Sequence, residues 1–341
     1  MRPAFIALVL SACSFSEAVP PPAPDAPSAM TPPTSTVIEW LGDALVQREG
    51  YALPADRVLA GAPVDICVQT YPALSAVRTT LQLSDQTMEM SPVRDDAGPF
   101  QHNRLWCAQL ADLPEGSLAL QLVAEDAGGA IRTLALPLTV ARDVALFAAA
   151  PDLASWRMAG PGSFALTADR AAIAAQPIQD LGLYWAAIPT PADFDLALDW
   201  QLSRTDDNSG VFIRFRDPDT FGYDNPAWVG VHDGLEIQID DTARPDGADV
   251  HRTGALYEQP ATTYVRPSTS TPGVWRHFAI SVRGERVTVL LDNQLVSDTT
   301  FGGDPQYPDR ALPSASGAPR FIGLQTHTGA VAFRNVRLSL P

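Results

Sequence analysis

The chain has 341 residues, of which 46% are hydrophobic, a net charge of −16 and no lysine. That apolar fraction supports a sizeable core and excludes a globally disordered chain. An acidic chain without a basic stripe is not built for nucleic acid, and the missing lysine excludes Schiff-base chemistry on a side-chain amine.

Residues 1–13 read as an address. Arg2 opens it, Ala4 to Ala12 form an apolar run far short of the roughly 20 residues that span a bilayer, and Leu10-Ser11-Ala12-Cys13 resembles the bacterial lipobox. By that resemblance Cys13 is lipidated and the partner is a lipid membrane. Ser14, where an Asp would mark inner-membrane retention, favours an envelope position at the outer membrane, facing periplasm or exterior. An ordinary secretory signal is the alternative. Residues 14–36 are crowded with proline (Pro20, Pro21, Pro22, Pro24, Pro27, Pro32, Pro33) and read as an extended tether.

Val37, Trp40, Leu41 and Leu45 recur at helical spacing and predict a short helix. From about Arg57 to Val140 the pattern then becomes short strands and turns. Val64 to Val68 and Thr79 to Leu83 alternate, and Ser117 to Glu125 and Arg132 to Val140 flank Asp126-Ala127-Gly128-Gly129, a hairpin turn signal. Residues 37–142 are expected to form a small immunoglobulin-like β-sandwich. Cys67 and Cys107 lie on its predicted strands, and in an exported chain that pair is expected to form a disulfide.

Residues 143–341 are again strand-rich with no sustained helical period, which points to an all-β, two-sheet jelly roll. Two stretches stand out. Gly234-Leu235-Glu236-Ile237-Gln238-Ile239-Asp240-Asp241 and Gly323-Leu324-Gln325-Thr326-His327 alternate apolar with polar, as strands do when one face is open. Their open-face groups, Glu236, Gln238, Asp240, Gln325 and His327, are ones that bind sugars and move protons. By the same parity Asn208, Phe212 and Arg214 share a face.

Together with Asn208-Ser209-Gly210-Val211-Phe212-Ile213-Arg214, Thr253-Gly254-Ala255-Leu256-Tyr257, Trp275 and Phe333-Arg334-Asn335-Val336, these stretches resemble, in order, the 3-keto-disaccharide hydrolase domain. The opening Leu146-Phe147 through Ser155-Trp156 is similar too. The resemblance spans about residues 146–341 and implies a concanavalin A-like jelly roll that hydrolyses glycosides oxidised at carbon 3. The family has a glycine directly after the histidine of its last motif; here Thr328 precedes Gly329.

The residues themselves argue against an ordinary glycosidase. In the E-x-D-x-x-E spacing of laminarinase-type jelly rolls, Glu236 and Asp241 flank an amide, Gln238. Glu236 and Asp240 on a regular strand stand roughly 13 Å apart, beyond either two-carboxylate geometry. A 3-keto sugar needs less: its carbonyl acidifies the hydrogen on carbon 2. His327 or Glu236 is then the base, Arg214 the enolate stabiliser, and Tyr257 or His251 the proton donor. Gln238, Asp240, Asp241, Gln325 and Asn208 are candidate substrate contacts. A divalent metal, if one is used, would sit on Glu236, Asp240 and His327.

Plainer readings stand beside these. Glu236 could simply pair with Arg214, Asn208 and Gly210 read first as turn formers, and Arg334-Asn335 as an anchor. Trp200, Trp228 and Trp275 divide between core and sugar stacking; His102, His232 and His277 carry no assigned role. The competing class is a non-catalytic carbohydrate-binding or adhesion module, because jelly rolls host lectins as well as enzymes.

Overall fold

The computed structural model describes residues 37–40, 57–71, 76–84, 86–97, 101–220, 222–304, 310 and 319–341. They form four sheets, packed in two pairs. The first pair has a four-stranded sheet, ordered Val37–Trp40, Val64–Tyr71, Gln101–Leu110, Ser91–Ala97. Its partner has five strands, ordered Arg57–Leu59, Ile131–Ala141, Gly116–Asp126, Ala76–Leu83, Gln86–Glu89. Val64, Ile66, Val68, Leu81, Trp106, Leu120, Leu122 and Val140 fill the space between them. The immunoglobulin-like label for this sandwich remains an expectation from the sequence.

Two local findings bear on that expectation. Residues 37–40 are not helical: Val37–Trp40 is a strand antiparallel to Val64–Tyr71, with Val37 opposite Tyr71 and Trp40 opposite Val68. Val37, Ile38 and Trp40 are better suited to a pleated ladder than to a helix, and Leu41 and Leu45, on which the helical period rested, lie outside the described residues. Cys67 and Cys107 stand directly opposite each other in the antiparallel register of their strands. The side chain of Cys67, like residues 1–36 with Cys13, lies outside the described residues.

The second pair is a jelly roll. A nine-stranded sheet faces a five-stranded one whose strands, in chain order, are β1 (Trp156–Ala159), β2 (Gly182–Thr190), β3 (Ser209–Phe215), β4 (Leu235–Ile239) and β5 (Arg320–Thr326). They lie side by side as β1-β2-β5-β3-β4, antiparallel throughout. Alternation explains the layering. Val211, Ile213, Leu235, Ile237, Ile239, Ile322 and Leu324 point inward to meet Phe194, Leu196, Leu198, Trp200, Phe278 and Phe333 of the larger sheet. Trp200 is therefore core.

The outer face of the small sheet is also apolar in part. Leu183, Trp185, Phe212, Phe215 and Phe321 form a separate cluster there, covered by Ala227, Val229 and Val231. Those three come from a 3-10 turn, Pro226–Trp228, and a single helical turn, Val229–His232, in the β3–β4 connection. Asn225 caps the segment, accepting from the Ala227 N–H at 3.0 Å. A side chain on Gly230 would come within 3.0 Å of the Phe212 ring, so glycine lets the helical turn lie flat on the sheet.

Candidate active site

A cavity of about 510 Å³ opens on this outer face, within the range of small-molecule sites. Its floor is made by side chains of β4 and β5, with Asn208 just before β3. Glu236 stands opposite Phe212, and Gln238 opposite Gly210. Gln325 is on β5, beside β3 in the same sheet. Glu236, Gln238, Gln325, His327 and Asn208 all line the cavity, with Tyr257 at its edge. The parity read from the sequence therefore brings five of its candidates together, and Tyr257, proposed on chemical grounds, joins them.

Glu236 is the chemical centre. Only 4% exposed, it accepts a hydrogen bond from Gln325 Nε2 at 2.8 Å on Oε1. The Gln238 amide, oriented by its neighbours, donates to Ser209 O at 3.1 Å and to the same Oε1 at 3.0 Å. Both amides thus converge on one oxygen, and Oε2 bonds to no described residue. Burial, the largest influence, raises the carboxyl pKa to about 8; Arg310 and the Gln325 bond act against it, and Glu258 adds to it. At neutral pH the carboxyl is mostly protonated, with its hydrogen placed on Oε2.

That arrangement requires Gly210. A methyl group there would lie 2.1 Å from Glu236 Oε1 and 2.8 Å from Cδ, so the glutamate lies across the bare backbone of β3. Read first as a turn former, Gly210 is a mid-strand clearance for the carboxyl. The buried Gln325 Oε1 has no hydrogen-bond partner among the described residues, so the cavity floor offers an acceptor to a ligand.

His327 follows the end of β5, exposed at the cavity mouth. Crowding by protein, the larger cause, and the Arg244 charge hold its pKa below the ordinary imidazole value, against the pull of Asp180 and Asp240. The ring is therefore neutral near pH 7. Thr328, at the position where the family has glycine, pairs with Asn208 through both backbone bonds, at 2.8 and 3.0 Å, and lines the cavity. The following Gly329 has φ +80 and no room for a side chain beside Asp207.

Four sequence candidates fall elsewhere. Arg214 occupies a β-bulge, where two steps along β3 match one along β5 (Ile213 with Ile322, Phe215 with Phe321), and its φ is +61. The surplus residue turns its side chain away. The guanidinium donates to Gly284 O at 2.8 Å and to Ala192 O, and burial lowers its pKa to about 10. It neither faces the cavity nor pairs with Glu236. Asp240, fully buried, is a loop hub: it accepts from the N–H groups of Thr242 (2.8 Å), Ala243 (3.1 Å) and Arg244 (3.3 Å), from Thr242 Oγ1 (2.5 Å), and from Asn208 Nδ2 (3.1 Å). Asp241 points off the cavity to Thr253 Oγ1 at 2.6 Å and to the Ser270 N–H. His251 is buried behind Tyr257, locked to Asp246 at 2.8 Å.

With Asp240 engaged in its loop, the carboxylate–imidazole–carboxylate set for a divalent metal does not assemble. Among the described residues no cluster of three His, Cys, Asp or Glu groups is arranged to hold one.

The cavity also takes Trp228, one of the tryptophans offered for sugar stacking, and four residues that sequence reasoning passed over: Arg244, Pro245, Glu258 and Asp180. Arg244 and Pro245 line it from the loop that Asp240 organises; Arg244 Nε lies 3.4 Å from Asp240 and its Nη2 donates to Asp206 O at 2.7 Å. Among the described residues that line the cavity, Arg244 is the arginine. Glu258 sits beside Tyr257 with φ +58, and Asp180 with φ +83 lies on the opposite wall. Trp228 lines the end formed by the 226–232 segment. No strand period could have flagged these loop positions. Trp275 is outside the cavity, stacked under Arg334 at 4.1 Å, and Arg334 and Asn335 both bind Asp199, at 3.1 and 2.8 Å, as an anchor.

Residues 144–339 match the profile of the 3-keto-alpha-glucoside-1,2-lyase-like domain. No curated protein sequence matches the chain significantly. Among solved structures, a candidate glycosyl hydrolase from Parabacteroides distasonis is 22% identical, with 59% of this chain and 100% of that one covered and a TM-score of 0.44. A carbohydrate binding module from Bacillus subtilis is 16% identical, with 54% and 95% covered and a TM-score of 0.36.

Proposed function

Because the chain belongs to the 3-keto-alpha-glucoside-1,2-lyase-like domain family, we propose that its jelly roll cleaves glycosides whose sugar carries a carbonyl at carbon 3, by elimination followed by hydration. One observation carries this reading: Glu236 and His327 line one cavity with protonation states displaced in opposite senses, the carboxyl up to about 8 and the imidazole down. Groups whose environments push them apart in this way divide into acid and base.

The neutral His327 takes the proton from carbon 2, and the electron pair moves to the carbon 3 oxygen as an enolate. Arg244, in place of Arg214, is a cation in the cavity to meet that charge. The enolate collapses, carbon 1 gains a double bond to carbon 2, and the bond to the leaving oxygen breaks. Glu236 Oε2 supplies the proton that oxygen needs. Reversal with water, activated by the now ionised Glu236 and protonated on carbon 2 by His327, yields the free 3-keto sugar. Gln325 Oε1 receives a substrate hydroxyl.

The purified protein should turn over 3-keto-trehalose but not trehalose, and in deuterated water should place deuterium on carbon 2 of the product. Equal turnover of both sugars would sink the elimination reading. The second reading, a non-catalytic sugar-binding module, is favoured by the Gln325 acceptor and the aromatic wall at Trp228. Tight binding of either sugar without turnover would select it.

We place this activity in the cell envelope, on a Cys13 lipid anchor with a Cys67–Cys107 bridge supported by their cross-strand register. Cys13→Ser should move the protein from the membrane to the soluble fraction, and the denatured, unreduced mature protein should show no free thiol at Cys67 or Cys107. Unchanged partition would remove the anchor, and two reactive thiols the bridge.

A further inference from the structure

The cavity differs from end to end, and strand register tells which end is which. Glu236 lies opposite Phe212 and Gln238 opposite Gly210; the two are about 6.6 Å apart along β4. Phe212 is the residue on which the 229–232 turn rests, so Glu236 is at the end walled by Trp228. Past Gln238, in the other direction, come Asn208 with Thr328, and the Asp240 loop that carries Arg244.

Two aromatic residues line the cavity with Glu236, each in contact with a second ring. Trp228 stacks on His232, with centroids 5.4 Å apart and planes 25° apart, and His232 meets Tyr223 edge-on at 5.3 Å. Tyr257 donates its backbone N–H to Glu236 O at 2.8 Å, and its ring lies 5.1 Å from His251, itself fixed by Asp246. A ring backed by another ring presents a flat face with little left to order on binding.

If Glu236 protonates the leaving oxygen, the keto sugar lies toward Arg244 and His327, and the leaving group toward Trp228 and Tyr257. The geometry points to an aglycone subsite, made by Trp228 and Tyr257, that selects leaving groups presenting a flat apolar ring face, an aryl ring or the face of a second pyranose, over open-chain alcohols. This assignment rests on the elimination reading for the direction in which the substrate lies.

Methyl and benzyl 3-keto-glucosides release alcohols of similar acidity, so the ratio of their kcat/KM values reports contact rather than bond breaking; 3-keto-trehalose supplies the pyranose arm. The benzyl substrate, or 3-keto-trehalose once the advantage of its more acidic leaving hydroxyl is subtracted as the part that Trp228→Ala retains, should exceed the methyl glucoside by about tenfold, the scale of one aromatic contact. Benzyl ahead of trehalose identifies an aryl aglycone, and the reverse a sugar. Trp228→Ala should bring the ratio to within about twofold and Trp228→Phe should restore part of it, a pattern that loss of stability alone does not produce. Equal wild-type values, or a ratio that Trp228→Ala leaves unmoved, overturn the subsite. If none of the three turns over, the elimination reading fails instead. Tryptophan-fluorescence titration with unoxidised benzyl and methyl glucosides then decides the subsite: tighter benzyl binding lost in Trp228→Ala upholds it, and equal binding overturns it.

Discussion

Glu236→Gln is expected to lower kcat/KM on a 3-keto-glucoside by about 10²–10⁴-fold while leaving the fold intact. The amide keeps an oxygen for the Gln325 and Gln238 donors and loses only the transferable proton. The pH profile separates this role from a packing role. The productive state pairs a neutral imidazole with a protonated carboxyl. Wild-type activity should therefore rise as pH passes the depressed His327 pKa and fall as it passes about 8, where Glu236 ionises. Glu236→Gln should lose the alkaline limb and keep the acid one, and His327→Ala should do the converse with a comparable loss of rate.

Stability supplies a second reading of the same group. Its folded pKa, about 8, lies above the ordinary 4.5, so the folded protein holds a proton that the unfolded chain has already released. The stabilisation from that proton is complete below about pH 4.5 and is lost as pH rises toward 8. Thermal melts of the wild type should fall across this window more steeply than those of Glu236→Gln. An unchanged alkaline limb together with parallel melting curves would show that Glu236 is not the titrating acid.

Gly210→Ala should be nearly as damaging to activity although it adds a single methyl group. That group would meet Glu236 Oε1 at 2.1 Å and Cδ at 2.8 Å. Glu236 must then leave its place over β3, giving up the amide pair that fixes its proton on Oε2. A loss of about 10²-fold or more follows from misplacing a proton donor, with destabilisation of about 1–3 kcal/mol from overpacking. Gly302→Ala, where a side chain meets nothing within 4 Å, is the control. A double-mutant cycle gives the sharper criterion: in a Glu236→Ala background the destabilisation by Gly210→Ala should largely vanish. Equal destabilisation in both backgrounds would mean that Gly210 serves the β3 backbone and not the carboxyl.

The sequence disclosed the site where its side chains ride on regular strands. Two-residue periodicity put Glu236 with Gln238 and Gln325 with His327, and in the structure all four line one cavity. It misplaced Arg214 because one surplus residue breaks that period, and a bulge leaves no mark that composition can reveal. Asp240 and Asp241 were misread because they follow the end of β4, where a carboxylate organises turn N–H groups rather than continuing the alternation. Arg244, Glu258 and Asp180, which went unread, come from connections whose course depends on long-range contacts, such as Asn225 donating to Asp180 and to Leu181 O. Gly210 was visible all along. A glycine in the middle of an apolar strand is a gap held for something, and here the something is two positions from Gln238.

Arg214 is the surplus residue of its ladder, so the pairing on either side would close in the same phase if it were absent. Phe212 and Phe215 already belong to one cluster, and both would stay there. What would go is a buried tie from the small sheet to the carbonyls of Gly284 and Ala192. In a gene this is the difference of one codon. A strand can thus acquire a bolt between layers by a single in-frame insertion, without reassigning any residue of the face that does the chemistry.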